Sequence, residues 1–132
     1  MEDNHIADDR ARRFVAGLRR FEQDSDTAVF AALFAPDAVT ERLDARGERQ
    51  GEVAEFWREY RDQFQEVRTT FFNVVEGDDQ FALEWTSSGT LRDDRPIDYR
   101  GVTVIDLDGD AITRLRTYYD SAAFVLVPAE ST

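Results

Sequence analysis

Few side chains in this sequence could do chemistry, and their types narrow the choice. There is no cysteine, so a thiolate nucleophile, a disulfide and a thiolate-held metal are all excluded. The single histidine, His5, stands in a polar N-terminal run with no apolar pattern, where fraying is expected. A general base must sit within hydrogen-bond reach of its substrate, so His5 is a poor candidate. Asp106-Leu107-Asp108-Gly109-Asp110 has the alternation of a calcium loop but lacks its ~12-residue spacing and closing Glu, and reads as a hairpin turn. No metal and no cofactor is expected. What remains is carboxylates, arginines and aromatics with a polar edge, among them Trp57, Tyr60, Trp85, Tyr99 and Tyr119. Each can offer an apolar wall together with one hydrogen-bonding atom. Arg42 shares a strand face with Thr40. Its planar guanidinium could hold a carboxylate or enolate through two parallel bonds, or pair internally with Glu41, Glu84 or Asp120.

These residues are positioned by a recognisable series of elements. Between Ala7 and Glu22, apolar residues fall at Ala11, Phe14, Val15, Leu18 and Phe21, one face of a helix, with arginines and acids filling the other. Asp24-Ser25-Asp26 offers caps for a second helix, Thr27 to Ala35, which Pro36 is expected to end. Ala38 to Leu43 reads as a short strand, and Asp44 to Gly51 as a polar loop with room for a small hairpin. A third helix from Glu52 to about Gln65 carries the stripe Val53, Phe56, Trp57, Tyr60 and Phe64. Val67 to Glu76 and Gln80 to Leu91 read as antiparallel strands joined at Glu76-Gly77-Asp78-Asp79. Tyr99 to Leu107 and Ile112 to Tyr119 form the strongest hairpin, turning at Asp108-Gly109-Asp110, because glycine takes positive φ without a steric penalty. The order α-α-β-α-β-β-β-β places helices first and antiparallel strands last, an α+β arrangement. One domain is expected over residues 1–132, with 1–6 and 126–132 flexible.

Composition limits the partners. A chain of 132 residues buries roughly two thirds of its unfolded surface in one core. No apolar run approaches the roughly 20 residues of a membrane span, and the acidic N-terminus is no signal peptide, so a cytoplasmic protein is expected. The formal net charge is -12, and all 16 basic residues are arginine. Nucleic acids and anionic lipids select basic patches, so neither is an expected partner. High negative charge is a device of salt-adapted proteins, so a halophilic source is one expectation; the composition of a high-GC genome alone is the other.

Four stretches, LFAPDAVTERL, GERQGEVAEFW, LEWTSSGT and GVTVIDLDGDAITRLRTYYD, make the chain, over about residues 8–124, similar to the nuclear transport factor 2-like superfamily and its SnoaL-like branch. The resemblance implies a strongly curved, mostly antiparallel sheet wrapped around three helices as a cone. It also implies a small-molecule ligand in the cone and a homodimer formed through the outer sheet face. Arg42 stands where ketosteroid isomerases in this superfamily have their catalytic Asp. Leu18 stands in place of their tyrosine, and Thr103 in place of their second acid. The Arg-x-Asp of limonene epoxide hydrolases is replaced by Trp85, Ser87 and Gly89. Neither activity is therefore expected. Asp120 matches the acid/base aspartate that SnoaL-like cyclases carry near the end of the last strand. It would need a strand end or bulge to point inward, because alternation places it opposite Leu115, Thr117 and Tyr119. The expected site is Asp120 and Arg42 as catalytic groups, with Trp57, Tyr60, Trp85, Ser87, Tyr99, Thr103 and Tyr119 around the ligand. The alternative is a binding or assembly domain without catalysis.

Overall fold

The computed structural model describes residues 6–25, 27–42, 45–47 and 50–124. The expectations for His5 and for residues 126–132 lie outside the described residues. Ile6, in the end expected to be flexible, is buried.

Helix α1 runs Asp9–Asp24, α2 Thr27–Ala31 and α3 Gln50–Arg61; the strands are β1 Phe34–Arg42, β2 Ala45–Gly47, β3 Phe64–Glu76, β4 Gln80–Leu91, β5 Pro96–Asp108 and β6 Ala111–Tyr119, followed by a short 3-10 helix, Ser121–Phe124. The strands form one sheet in the order β2-β1-β6-β5-β4-β3. Among the described residues, only the β1–β6 pair is parallel. Register shifts interrupt β1 against β6, β3 against β4 and β5 against β6. An extra residue bends a strand and raises its twist, so these irregularities curl the sheet around the helices. Among the described residues, no helix is long and apolar enough to cross a membrane.

Several boundaries differ from the sequence reading. Helix α2 stops at Ala31 and β1 already begins at Phe34, so Pro36 lies inside a strand. It is exposed there, within the register shift between Phe34 and Val39, a place where a missing N–H costs no ladder bond. Helix α3 ends at Arg61, and Phe64 opens β3 as a fully buried strand residue. Ser25 does not start α2. It closes α1 in the left-handed region (φ 57°), its N–H donating to the Phe21 carbonyl at 2.8 Å. The anticipated small hairpin is present as β2 against the end of β1.

The start of α1 is fixed by Asp8, whose carboxylate accepts the Arg10 N–H at 2.7 Å. Arg10 then ties the helix to both hairpin turns. It donates to the carbonyls of Asp78 at 2.6 Å and Gly109 at 2.7 Å, with its guanidinium over the Phe81 ring. The core is largely aromatic. Phe14, Phe21, Phe30 and Trp57 pack edge-on or stacked under α1 and α2, while Tyr60, Phe64, Tyr99, Tyr119 and Phe124 fill the end near the 3-10 helix.

Candidate functional site

A small cavity of about 30 Å³ lies between α1, α3 and the inner face of the sheet, roughly the room of two waters. Every element that faces it contributes by its own periodicity. Phe14, Leu18 and Glu22 come from α1 at successive i, i+4 steps, so one helical stripe faces the cavity. Phe56, Trp57 and Tyr60 come from the inner side of α3. Thr69, Trp85, Thr103, Thr117, Tyr119 and Arg42 come from inward positions of five strands.

Glu22 is the residue that sequence reading missed. By type it belongs on the polar face of α1, but it is 4% exposed. Its carboxylate accepts the Thr69 N–H at 3.1 Å and the Thr69 hydroxyl at 2.5 Å. Burial disfavours its charged form and pushes the carboxyl up to about 7, against the opposing pull of the Thr69 bonds and of Arg61 and Arg19. The signal was available, since Glu22 follows Leu18 by four residues and Val15 by seven, the spacing that defines the buried stripe. Arg61 is buried beside it, donating to the Glu22 carbonyl and to the Phe64 carbonyl, each at 3.0 Å.

A buried polar chain runs on from Glu22 into the sheet. The Thr69 and Ser87 hydroxyls are 2.6 Å apart, and the Tyr60 and Tyr99 hydroxyls bond to each other. Burial raises both tyrosines well above the ordinary tyrosine range, so each stays protonated. On the adjacent rungs, Trp85 Nε1–H donates to Thr103 Oγ1 at 2.9 Å, and Thr103 and Thr117 share a further bond at 2.9 Å. The indole N–H of Trp57 is buried and has no hydrogen-bond partner among the described residues.

Of the residues named from sequence, Arg42, Trp57, Tyr60, Trp85, Thr103 and Tyr119 come together around this cavity. Ser87 and Tyr99 lie in the wall behind it and also border an outer depression shared with Asp98, Arg100 and Asp120. Asp120 is not among the cavity residues. Strand β6 ends at Tyr119, Asp120 is exposed, and its carboxylate accepts the Ala122 N–H at 3.1 Å, capping the 3-10 helix. Its assignment as an inward acid/base group is corrected accordingly: the strand ends there without the inward bend that the role requires. The contacts of Arg42 include backbone and ring as well as charge. It donates to the Phe56 carbonyl at 3.2 Å, lies over the Phe56 ring, and stands 3.6 Å from the carboxylate of Glu59. Glu41 holds Arg114, and Glu84 accepts from Asn73.

Comparison with known proteins bears on the scaffold. A structure from Catenulispora acidiphila, described as a hypothetical protein with a ketosteroid isomerase-like fold in complex with trimethylamine, superposes with a TM-score of 0.76 at 18% identity, over 90% of this chain and 96% of that one. A putative isomerase from Rhodopseudomonas palustris superposes at 0.79 with 21% identity, over 90% and 95%. An epoxide hydrolase of M. tuberculosis, described as LEH-like, gives 0.69 at 18% identity, over 87% and 86%. At such identities the likeness is one of fold. No curated protein matches the chain. The SnoaL-like domain family matches residues 11–115, four of every five residues here and every strand except the end of β6. The chain belongs to the SnoaL-like domain family.

Proposed function

We propose that this protein binds a small molecule in the cavity between α1, α3 and the sheet, and that Glu22 exchanges a proton with it. The observation that carries the reading is a carboxyl buried in the cavity wall and poised near pH 7, where an acid/base group works best. Asp120, on the outer surface, has no part in it. Trp57, Tyr60, Trp85, Thr103 and Tyr119 form the wall, with Arg42 at one side of it. Ser87 and Tyr99 act from behind, by holding Thr69 and Tyr60.

The test uses deuterium exchange. Small ketones and keto acids are incubated with the protein in D₂O, and loss of their α-protons is followed by NMR. Wild type should accelerate exchange for at least one of them, and Glu22→Gln should slow it by about 100-fold or more, the usual weight of one acid/base group. No acceleration by wild type, together with a Glu22 carboxyl titrating in the ordinary glutamate range, overturns the proposal.

A second reading, binding without chemistry, is favoured by two observations. The cavity is small, and Thr69 already engages both oxygens of Glu22. In either reading a second copy of the chain is proposed to cover the outer sheet face. Phe72, Val75 and Tyr118 are 54%, 61% and 45% exposed there, and Val102 and Val104 are half-buried beside them.

A further inference from the structure

We infer that Glu22 and Tyr60 are the two ends of one proton chain, linked through the hydroxyls of Thr69, Ser87 and Tyr99. Its hydrogen bonds run toward Glu22 when that carboxyl is ionised and away from it when it is protonated. Ser87, which is outside the cavity lining, is then a positioning residue that carries the state of the acid on to the tyrosines. The inference rests on the reading of Glu22 as the group that exchanges a proton, and does not require that a reaction follows.

The chain follows the sheet. Thr69, Ser87 and Tyr99 are direct partners across β3, β4 and β5, and alternation puts all three on the inner face. Thr69 Oγ1 stands 2.5 Å from Glu22 Oε2 and 2.6 Å from Ser87 Oγ. Burial dominates the Tyr99 phenol and raises it, while a bond from the Ser87 hydroxyl works against that rise. Tyr99 bonds in turn to Tyr60. Tyr60 lines the same cavity as Glu22 and Thr69, so the chain begins and ends in one site. All five side chains are buried, so each polar atom depends on its neighbour and not on bulk water.

Counting hydrogens gives the two states. Each hydroxyl owns one hydrogen, and an ionised carboxylate owns none. With Glu22 ionised, Thr69 donates to Glu22, Ser87 to Thr69, Tyr99 to Ser87 and Tyr60 to Tyr99, and every hydrogen is used. The 2.5 Å first link is the length of a hydroxyl bonded to a charged oxygen. Thr69 N–H holds Oε1, so an added proton belongs on Oε2, beside Thr69 Oγ1. Thr69 then turns its hydrogen to Ser87, Ser87 to Tyr99 and Tyr99 to Tyr60. One hydrogen is left over, on Tyr60. A proton gained at Glu22 can therefore be given up at Tyr60, and each hydroxyl between them passes on one hydrogen and receives one.

The other groups around Glu22 do not relay its state. Arg19 on its own helix and Arg61 on α3 favour its ionised form, and Arg42 on β1 and Tyr119 on β6 line the cavity. Arginine keeps its charge whichever way the chain runs, so these cations set where Glu22 titrates and carry nothing onward.

The chain has four tyrosines, so ¹³C at Cζ gives four signals, assigned by replacing each tyrosine with Phe. They are followed from pH 4 to pH 9 together with the carboxyl carbon of Glu22. Tyr60 and Tyr99 should shift with the midpoint of Glu22, near pH 7, and the exposed Tyr118 should not. Glu22→Gln should remove the shift. In Ser87→Ala the Glu22 carboxyl should still titrate, while Tyr60 and Tyr99 lose at least half of their response. Tyr60 and Tyr99 unmoved in wild type overturn the chain. So does an undiminished response in Ser87→Ala, which would mean that Glu22 acts on the tyrosines through space. Should Ser87→Ala fail to fold, Tyr99→Phe cuts the next link, and Tyr60 is read by the same criterion. A Glu22 midpoint in the ordinary glutamate range, with Tyr60 and Tyr99 following it there, leaves this inference standing and removes Glu22 as the acid of the proposed function.

Discussion

Glu22 carries most of the functional argument, and its titration is also a statement about stability. Its folded-state value is raised from 4.5 to about 7 by burial. The folded protein therefore holds this proton more tightly than the unfolded chain does. The resulting stability is fully present below about pH 4.5 and is lost as pH rises through about 7, an effect of about 3 kcal/mol. Other carboxylates oppose it, since Asp8 is held low by Arg10 and Asp106 by Gln80 and Arg116, in Asp106 against a larger opposing effect of burial. A comparison with Glu22→Gln isolates the one group. The variant should match wild type in urea unfolding near pH 5 and exceed it near pH 8, by about 3 kcal/mol at most. Equal stabilities at both pH values would show that Glu22 is ionised at no cost and is no acid/base group.

At the scale of elements, the site depends on how closely strands can approach behind Trp85. Gly101 pairs with Trp85 on one side and Tyr119 on the other. A Cβ at this position would sit 2.3 Å from the Tyr118 carbonyl oxygen and 2.8 Å from the Trp85 ring. Backbone on one side and a buried indole on the other leave little room to yield, so Gly101→Ala should lower stability by about 1–3 kcal/mol. It should also move the Trp85 indole from Thr103, which the Trp85 N–H signal would report. Unchanged melting and an unchanged Trp85 signal would mean that the sheet bends elsewhere. The glycine itself was legible in the sequence, inside the run Tyr99 to Leu107 that reads as a strand. Its purpose was not, because the crowding comes from residues 16 to 18 positions away along the chain.

For the whole molecule, the unanswered question is what covers the outer sheet. Val75, Ala82, Val104 and Arg116 occupy one cross-strand row, and Glu84, Val102 and Tyr118 the next. This apolar strip in a chain of net charge -12 is costly to leave in water. Light scattering at moderate salt should give twice the 15.2 kDa chain mass, and Tyr118→Glu should shift it to the monomer with little loss of folding. A wild-type mass of one chain would exclude the dimer.

The architecture followed from local rules acting within each segment. A 3.6-residue apolar period gave α1 and α3. Alternation between turn signals gave β3 to β6, and a glycine at φ +60° closes the last hairpin. Such patterns need only neighbours along the chain, so the sequence by itself determined the α+β order and the family scaffold. It also drew Arg42 and five of the aromatic and hydroxyl positions toward one interior, because inward alternation continues through a strand and the apolar stripe through a helix. Where two structures bury the same residues, the tertiary fold decided. Phe30, Leu33 and Phe34 could continue a helix or start a strand, and the β1–β6 pairing took Phe34. Asp120 stands one residue past the end of β6, and the bend of the chain there turned it outward to cap a helix. Glu22 sits on the apolar stripe by spacing and looks polar by type. Only the closing of β3 over α1 brought Thr69 to its carboxylate, and that contact, between residues 47 apart in sequence, made a surface-type residue the acid of a cavity.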